Sequence, residues 1–171
     1  KEAGFAVIDA DVVTRDLIEK NGKCYKKVAK LFSGAILNTG KVDRVTLADI
    51  VFNDPRELKK LTDILYPEAF KHIKQSIVKF KHQEFIVLDV QLLFESGWDR
   101  LTDINIVVGA THKVQLQRLK SKWSLSDTDF RRRLKAQMPL SQKKRLADMV
   151  INNNGSLAQT KAQVAAIINR L

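Results

Sequence analysis

Apolar residues come in two alternating rhythms along this chain. Short unbroken apolar runs read as strands buried in a sheet, and apolar steps of three and four read as helices with one face turned inward. Phe5 to Ile8 is the first short run, and it ends in Asp9-Ala10-Asp11. Val12, Val13, Leu17 and Ile18 then share a helical face, which Asp11 is placed to cap and Asn21-Gly22 to stop. Val28, Leu31 and Phe32 predict a second helix closed by Ser33-Gly34, with a turn at Asn38-Thr39-Gly40. From Val42 to Phe80 the spacing stays helical: Leu47, Ile50 and Val51, then Leu58, Leu61 and Leu65, then Phe70, Ile73, Ile77 and Phe80. Pro55 and Pro67 fit as first-turn residues within that stretch.

Phe85 to Val90 is the strongest strand, of the fully buried kind expected in a parallel sheet. Ile104 to Val108 predicts a third strand, and Thr111 to Trp123 a helix. Ser126-Asp127-Thr128-Asp129 is a capping arrangement ahead of Phe130, Leu134 and Met138, with Pro139 ending that helix. Met149-Val150-Ile151 is a brief fourth strand. The turn Asn152-Asn153-Asn154-Gly155 leads into a last amphipathic helix bearing Leu157, Val164, Ile167, Ile168 and Leu171. Strands alternating with helices predict an α/β fold with a parallel sheet. Ligands in such sheets bind outside the carboxyl ends of the strands, which points at Asp9, Asp11, Asp89, Glu95 and the turn 152–154.

Composition narrows the chemistry. The 171 residues suit one domain with a core of its own, and no apolar run approaches the roughly 18 residues of a membrane-spanning helix. A single cysteine, Cys24, forms no internal disulfide and fits a reducing cytoplasm. Three scattered histidines and one cysteine give no zinc-ligand spacing. The net charge is +11, and between Lys113 and Arg145 eleven basic residues face only Asp127 and Asp129. That segment is suited to an anionic partner, and charge alone does not separate a nucleic acid from a phosphorylated small molecule.

Three segments in order carry a resemblance: Val7-Ile8-Asp9-Ala10-Asp11, Val87-Leu88-Asp89-Val90-Gln91-Leu92-Leu93-Phe94-Glu95, and Ala147-Asp148-Met149-Val150-Ile151-Asn152-Asn153-Asn154-Gly155-Ser156. Val42-Asp43-Arg44, Val51-Phe52-Asn53-Asp54-Pro55 and Ala136-Gln137-Met138-Pro139 lie between them at familiar spacing. Together they resemble dephospho-CoA kinase, a family of P-loop kinases. The resemblance implies a three-layer α/β fold in one kinase domain, with residues 42–80 as a helical acceptor-binding subdomain and 124–145 as a lid. It implies transfer of the ATP γ-phosphoryl group, with Mg²⁺, to the ribose 3′-hydroxyl of dephospho-CoA in the cytoplasm, with no nucleic acid or membrane as partner. The family's first strand and G-x-x-x-x-G-K-[ST] loop have no match here, so about 20 residues are expected ahead of Lys1. Gln91 stands where the family usually has Pro, and Tyr66-Pro67 where it usually has His-Pro.

Phosphoryl transfer needs positioning, charge neutralisation and a group that takes the attacking hydroxyl's proton. The resemblance places that group at Asp11, the second aspartate of the Asp-x-Asp, whereas the plain structural reading makes it a helix cap. Asp89 is the second catalytic candidate, near a Mg²⁺ shell. Asp9, Leu93 and Glu95 are candidates for acceptor binding. Arg118, Arg133 and Lys143 match lid-side basic positions, where guanidinium groups suit spread phosphate charge, and Asn152 and Gly155 match the adenine side. Three rival readings stay open: another small-molecule P-loop kinase acting on a nucleotide or nucleoside, a basic nucleic-acid-binding domain using residues 113–145, and a non-catalytic remnant of the kinase fold.

Overall fold

The computed structural model describes residues 4–123 and 126–171. The chain divides into two compact units, Lys1–Ser96 and Gly97–Leu171. The expected alternation is present: each unit is built on a pair of parallel strands with helices between them, and in the second unit a helix follows the pair.

In the first unit β1 (Ala6–Asp9) pairs in parallel with β2 (Ile86–Asp89), so that Asp9 stands opposite Asp89 at the strands' carboxyl ends. Between them run α1 (Ala10–Ile18), α2 (Tyr25–Leu31), a single 3-10 turn (Ser33–Ala35), α3 (Arg44–Asn53) and α4 (Pro55–Lys79). Both α1 and α3 pack on α4, which gives the unit its core: Val13, Leu17, Val28, Leu47, Val51 and Ile73 are all buried. Gly22 sits where the chain turns back under α1. A Cβ there would lie 2.3 Å from the Leu17 carbonyl oxygen, so the close approach requires glycine.

Three local expectations are corrected. The cap of α1 is Asp9, whose Oδ1 accepts the Asp11 N–H at 2.9 Å and the Val12 N–H at 3.1 Å, so Asp11 belongs to the first turn. Pro55 does open a helix, but Pro67 lies inside α4. The helix continues past it because Leu65, Ala69 and Ile73, on either side of the proline, are all buried. Near this position the Ile64 carbonyl accepts the buried Cys24 thiol at 3.5 Å. β2 is also not fully buried: Ile86 and Leu88 are half-buried and Val87 is 41% exposed, so the two faces of the strand are covered unequally.

In the second unit a 3-10 turn (Trp98–Leu101) buries Trp98 and leads to β3 (Ile106–Gly109), which pairs in parallel with β4 (Met149–Asn152). Between these strands come α5 (His112–Trp123), α6 (Asp127–Lys135) and α7 (Leu140–Leu146), and α8 (Leu157–Ile168) follows. Ser126 caps α6 as its spacing foretold, accepting the Asp129 N–H. The helix ends at Lys135 and not at Pro139, which instead precedes α7. Of the stretch 124–145, Ser124 and Leu125 lie outside the described residues. No helix among the described residues is long and apolar enough to cross a membrane.

Candidate functional site

The first unit gathers its chemistry at the carboxyl ends of β1 and β2. The ladder sets Asp9 beside Asp89, and within the first turn of α1 the chain presents Asp11. Partial withdrawal from water pushes the Asp11 carboxyl above the usual carboxylate range, and the charges of Asp9 and then Asp89 push it further. Arg44, at the start of α3, and Arg15 pull it back down. The three aspartates singled out from the sequence are therefore brought together. Because Asp9 does the capping, the Asp11 carboxylate is spared that role.

Neither arginine was singled out as a site residue. The signal for Arg44 lay in the sequence, since Asp43 is a good N-cap and puts the next residue at a helix start. The signal for Arg15 did not, because only its position one turn beyond Asp11 on α1 makes it relevant. Asp43 accepts the Val45 and Thr46 N–H groups at 3.0 and 3.3 Å and the Thr46 hydroxyl at 2.6 Å. These bonds, the hydroxyl's first, hold its carboxyl below the usual range and fix the first turn that carries Arg44.

After β2 the chain makes a compact turn in which Ser96 donates its N–H to the Leu92 carbonyl and its hydroxyl to the Leu93 carbonyl. Leu93 and Glu95 are half-buried there. Glu95 reaches toward α4: burial first, and then the Glu95 charge, raises the Tyr66 phenol above its ordinary value. The residue that departs from the family pattern and the candidate acceptor carboxylate are thus neighbours.

The second unit builds its site on the turn after β4. Arg118, from α5, donates from one terminal nitrogen to the Asn153 carbonyl at 2.8 Å and from the other to the Gly155 carbonyl at 3.1 Å. The Thr111 N–H donates to Asn154 Oδ1 at 2.8 Å, and the Asn153 N–H donates to the Gly109 carbonyl. Thr160, on α8, donates its hydroxyl to Asn153 Oδ1 at 3.0 Å, while Asn152 Oδ1 accepts from both the N–H and the carboxamide of Asn154. Ser156 caps α8 in a reciprocal pair with Gln159, a capping box whose signal in the sequence is the S-x-x-Q spacing. The Gln159 carboxamide lies over Gly155, and an added methyl would take its place. Arg118, Asn152 and Gly155 are therefore brought into one hydrogen-bonded assembly, in which Arg118 braces the turn. Arg133 lies on α6 and Lys143 on α7, within the basic stretch.

Among the described residues no group of three or more His, Cys, Asp or Glu side chains is disposed to hold a metal ion. Mg²⁺ binds through one or two carboxylates and takes the rest of its shell from water and substrate phosphates. The carboxylate oxygens of Asp89 and Asp9, opposite each other at the strand ends, are hard donors of the kind such a partial shell takes.

Known proteins resemble the chain along nearly its whole length. The family model described as dephospho-CoA kinase matches residues 1–159. A dephospho-CoA kinase of Bacillus licheniformis is 39% identical over 172 residues, covering 99% of this chain and 86% of that protein. One of Carboxydothermus hydrogenoformans is 38% identical, covering 99% and 84%. Among solved structures, TT1252 from Thermus thermophilus superposes with a TM-score of 0.80 at 28% identity, covering 99% of this chain and 86% of that one. The dephospho-CoA kinase from Campylobacter jejuni gives 0.65 at 26% identity, covering 98% and 85%.

Proposed function

The chain belongs to the dephospho-CoA kinase family of ATP-dependent phosphotransferases, and on that footing we propose that it transfers the ATP γ-phosphoryl group to the ribose 3′-hydroxyl of dephospho-CoA, with Asp11 as the proton acceptor. The 3′-oxygen forms a bond to the γ-phosphorus, the bond from that phosphorus to the β–γ bridging oxygen breaks, ADP leaves with the electron pair, and the hydroxyl proton passes to the Asp11 carboxylate. The observation that carries this reading is the division of labour between Asp9 and Asp11. One aspartate caps the helix, and the other is left beside it and Asp89, partly withdrawn from water, with its proton affinity raised. A raised affinity is what a general base needs in order to draw a proton from a weakly acidic hydroxyl.

The remaining assignments follow the same division. Residues 42–80, with Asp9, Leu93 and Glu95, serve the acceptor, and the turn at Asn152 and Gly155 serves the adenine. Arg118, Arg133 and Lys143, with the lid 124–145, serve the phosphates, where fixed guanidinium donors neutralise spread charge. Asp89 would help to hold Mg²⁺, which supplies neutralisation of phosphate charge when bound. The protein acts in the cytoplasm on two small molecules, and the basic stretch 113–145 serves phosphates and not a nucleic acid.

The test is ADP release by the purified protein with Mg-ATP, comparing dephospho-CoA with AMP and with nucleosides as acceptors. Turnover confined to dephospho-CoA is the expected result. Turnover with AMP or a nucleoside in its place would move the enzyme to another acceptor class.

A further inference from the structure

The turn after β4 is held from a side that the nucleotide does not need to touch. Gln163 lies on α8, past the capping box, and is half-buried. Its carboxamide makes two bonds to one residue: Oε1 accepts the Asn152 N–H at 2.9 Å, and Nε2 donates to the Asn152 carbonyl at 2.9 Å. Nε2 also donates to the Gln159 carbonyl, at 3.2 Å. Asn152 is the last residue of β4, where the ladder to β3 ends opposite Gly109. In a parallel ladder alternate residues turn both backbone groups to the same neighbour. The Gly109 carbonyl takes its bond from Asn153, and Asn152 gives both of its backbone groups to Gln163. The carboxamide thus makes the pair of bonds that a third strand would make, at the residue where β4 becomes the turn.

We propose that Gln163 is a positioning residue for recognition of the nucleobase: by fixing both backbone groups of Asn152 it sets the direction in which residues 153–155 leave the sheet. The proposal rests on the reading of this turn as the adenine-binding side. Gln163 acts through Asn152 and meets no substrate itself. A carboxamide is suited to this because it offers a donor and an acceptor in one plane. Glutamate keeps the acceptors and loses the donor, leaving a carboxylate oxygen against the Asn152 carbonyl. Methionine fills a similar volume and loses both bonds. Arg118 and Thr111 hold the far side of the same turn, so loss of the Gln163 bonds shifts the turn and leaves the fold in place.

The experiment is calorimetric titration of the unmodified protein, Gln163→Met and Gln163→Glu with Mg-ATP and, separately, with Mg-tripolyphosphate, which carries the phosphates without a base. Two lost hydrogen bonds correspond to about a tenfold weakening. The Kd for ATP is expected to rise by about that factor in Gln163→Met and by more in Gln163→Glu, while the Kd for tripolyphosphate stays within about twofold. Equal weakening for both ligands, or an ATP affinity unchanged in either variant, overturns the proposal. If Gln163→Met does not fold, Gln163→Glu decides by the same comparison. If the unmodified protein binds tripolyphosphate as tightly as ATP, the turn reads no base. The nucleobase reading then fails together with the proposal, and that result is visible before any variant is measured.

Discussion

Two aspartates separated by one alanine have different surroundings. Asp9 receives two backbone N–H groups, whereas Asp11 is raised by burial and by its acidic neighbours. The sign of the stability effect follows. A carboxyl whose native pKa lies above its unfolded value keeps its proton to higher pH in the folded protein. Stability therefore falls as pH rises from the unfolded value, about 3.9, through the native one, and above that window ionised Asp11 is a standing cost. Asp11 is exposed enough for solvent to screen this cost. Asp11→Asn removes it, so turnover is expected to fall by about 10²–10⁴ while the Tm at neutral pH does not fall. Steady-state ADP release and a thermal melt on the same preparation check both. Turnover within twofold of the unmodified protein, or a Tm lowered by several degrees, would return Asp11 to a structural role. The Asp-x-Asp was legible as a site in the sequence, but not which aspartate caps. Either carboxylate suits a helix start, and the choice turns on a one-residue shift of the boundary.

Among the helices, the polar punctuation decides more than propensity does. The pH dependence of α3 and α4 has the opposite sign to that of Asp11. Asp43 is held below its ordinary value mainly by the Thr46 hydroxyl, and Asp54 mainly by the Arg56 N–H. A carboxyl with a depressed native pKa contributes stability that is present above about pH 3.9 and is lost as pH falls through the native value. Asparagine caps about as well without titrating, so the double variant Asp43→Asn, Asp54→Asn is expected to flatten the acid limb of the stability curve below about pH 4. Urea unfolding from pH 7 to pH 2.5 would show it, and parallel acid limbs would refute it. Gly22 is a second punctuation point. Its missing Cβ would meet the Leu17 and Asp16 carbonyl oxygens at 2.3 and 2.4 Å, so Gly22→Ala is expected to cost about 1–3 kcal/mol by urea unfolding. A loss below about 0.5 kcal/mol would mean that the turn relaxes freely. Pro67 shows why the helices were only partly legible. A proline reads locally as a helix start, but the buried residues on both sides of it override that signal, and they are distant in sequence from what they pack against. The bracing of the turn by Arg118 was hidden for the same reason: its partners lie 35 and 37 residues away.

The chain as a whole distributes its chemistry unevenly. The acidic cluster and the helices of 42–80 belong to the first unit. The basic stretch 113–145 and the braced turn belong to the second. This agrees with the charge count along the sequence, because the segment suited to phosphates is also the one richest in arginine and lysine. If each unit serves one substrate, each substrate should order its own unit. A bound ligand lowers the rate of local opening where it makes contacts, and amide hydrogen exchange reads that region by region. ATP alone is expected to slow exchange in α5 to α7 and in the turn 152–156, and dephospho-CoA alone in β1, the start of α1, and α3 and α4. Protection of the turn by dephospho-CoA, with no change in α3 and α4, would place the acceptor on the nucleotide's unit and undo the division. Protection of α3 and α4 by ATP alone would mean that the nucleotide occupies the acceptor helices, and the acceptor role of residues 42–80 would then need reassignment. The protection pattern tests the division of labour without depending on the rate of the chemical step.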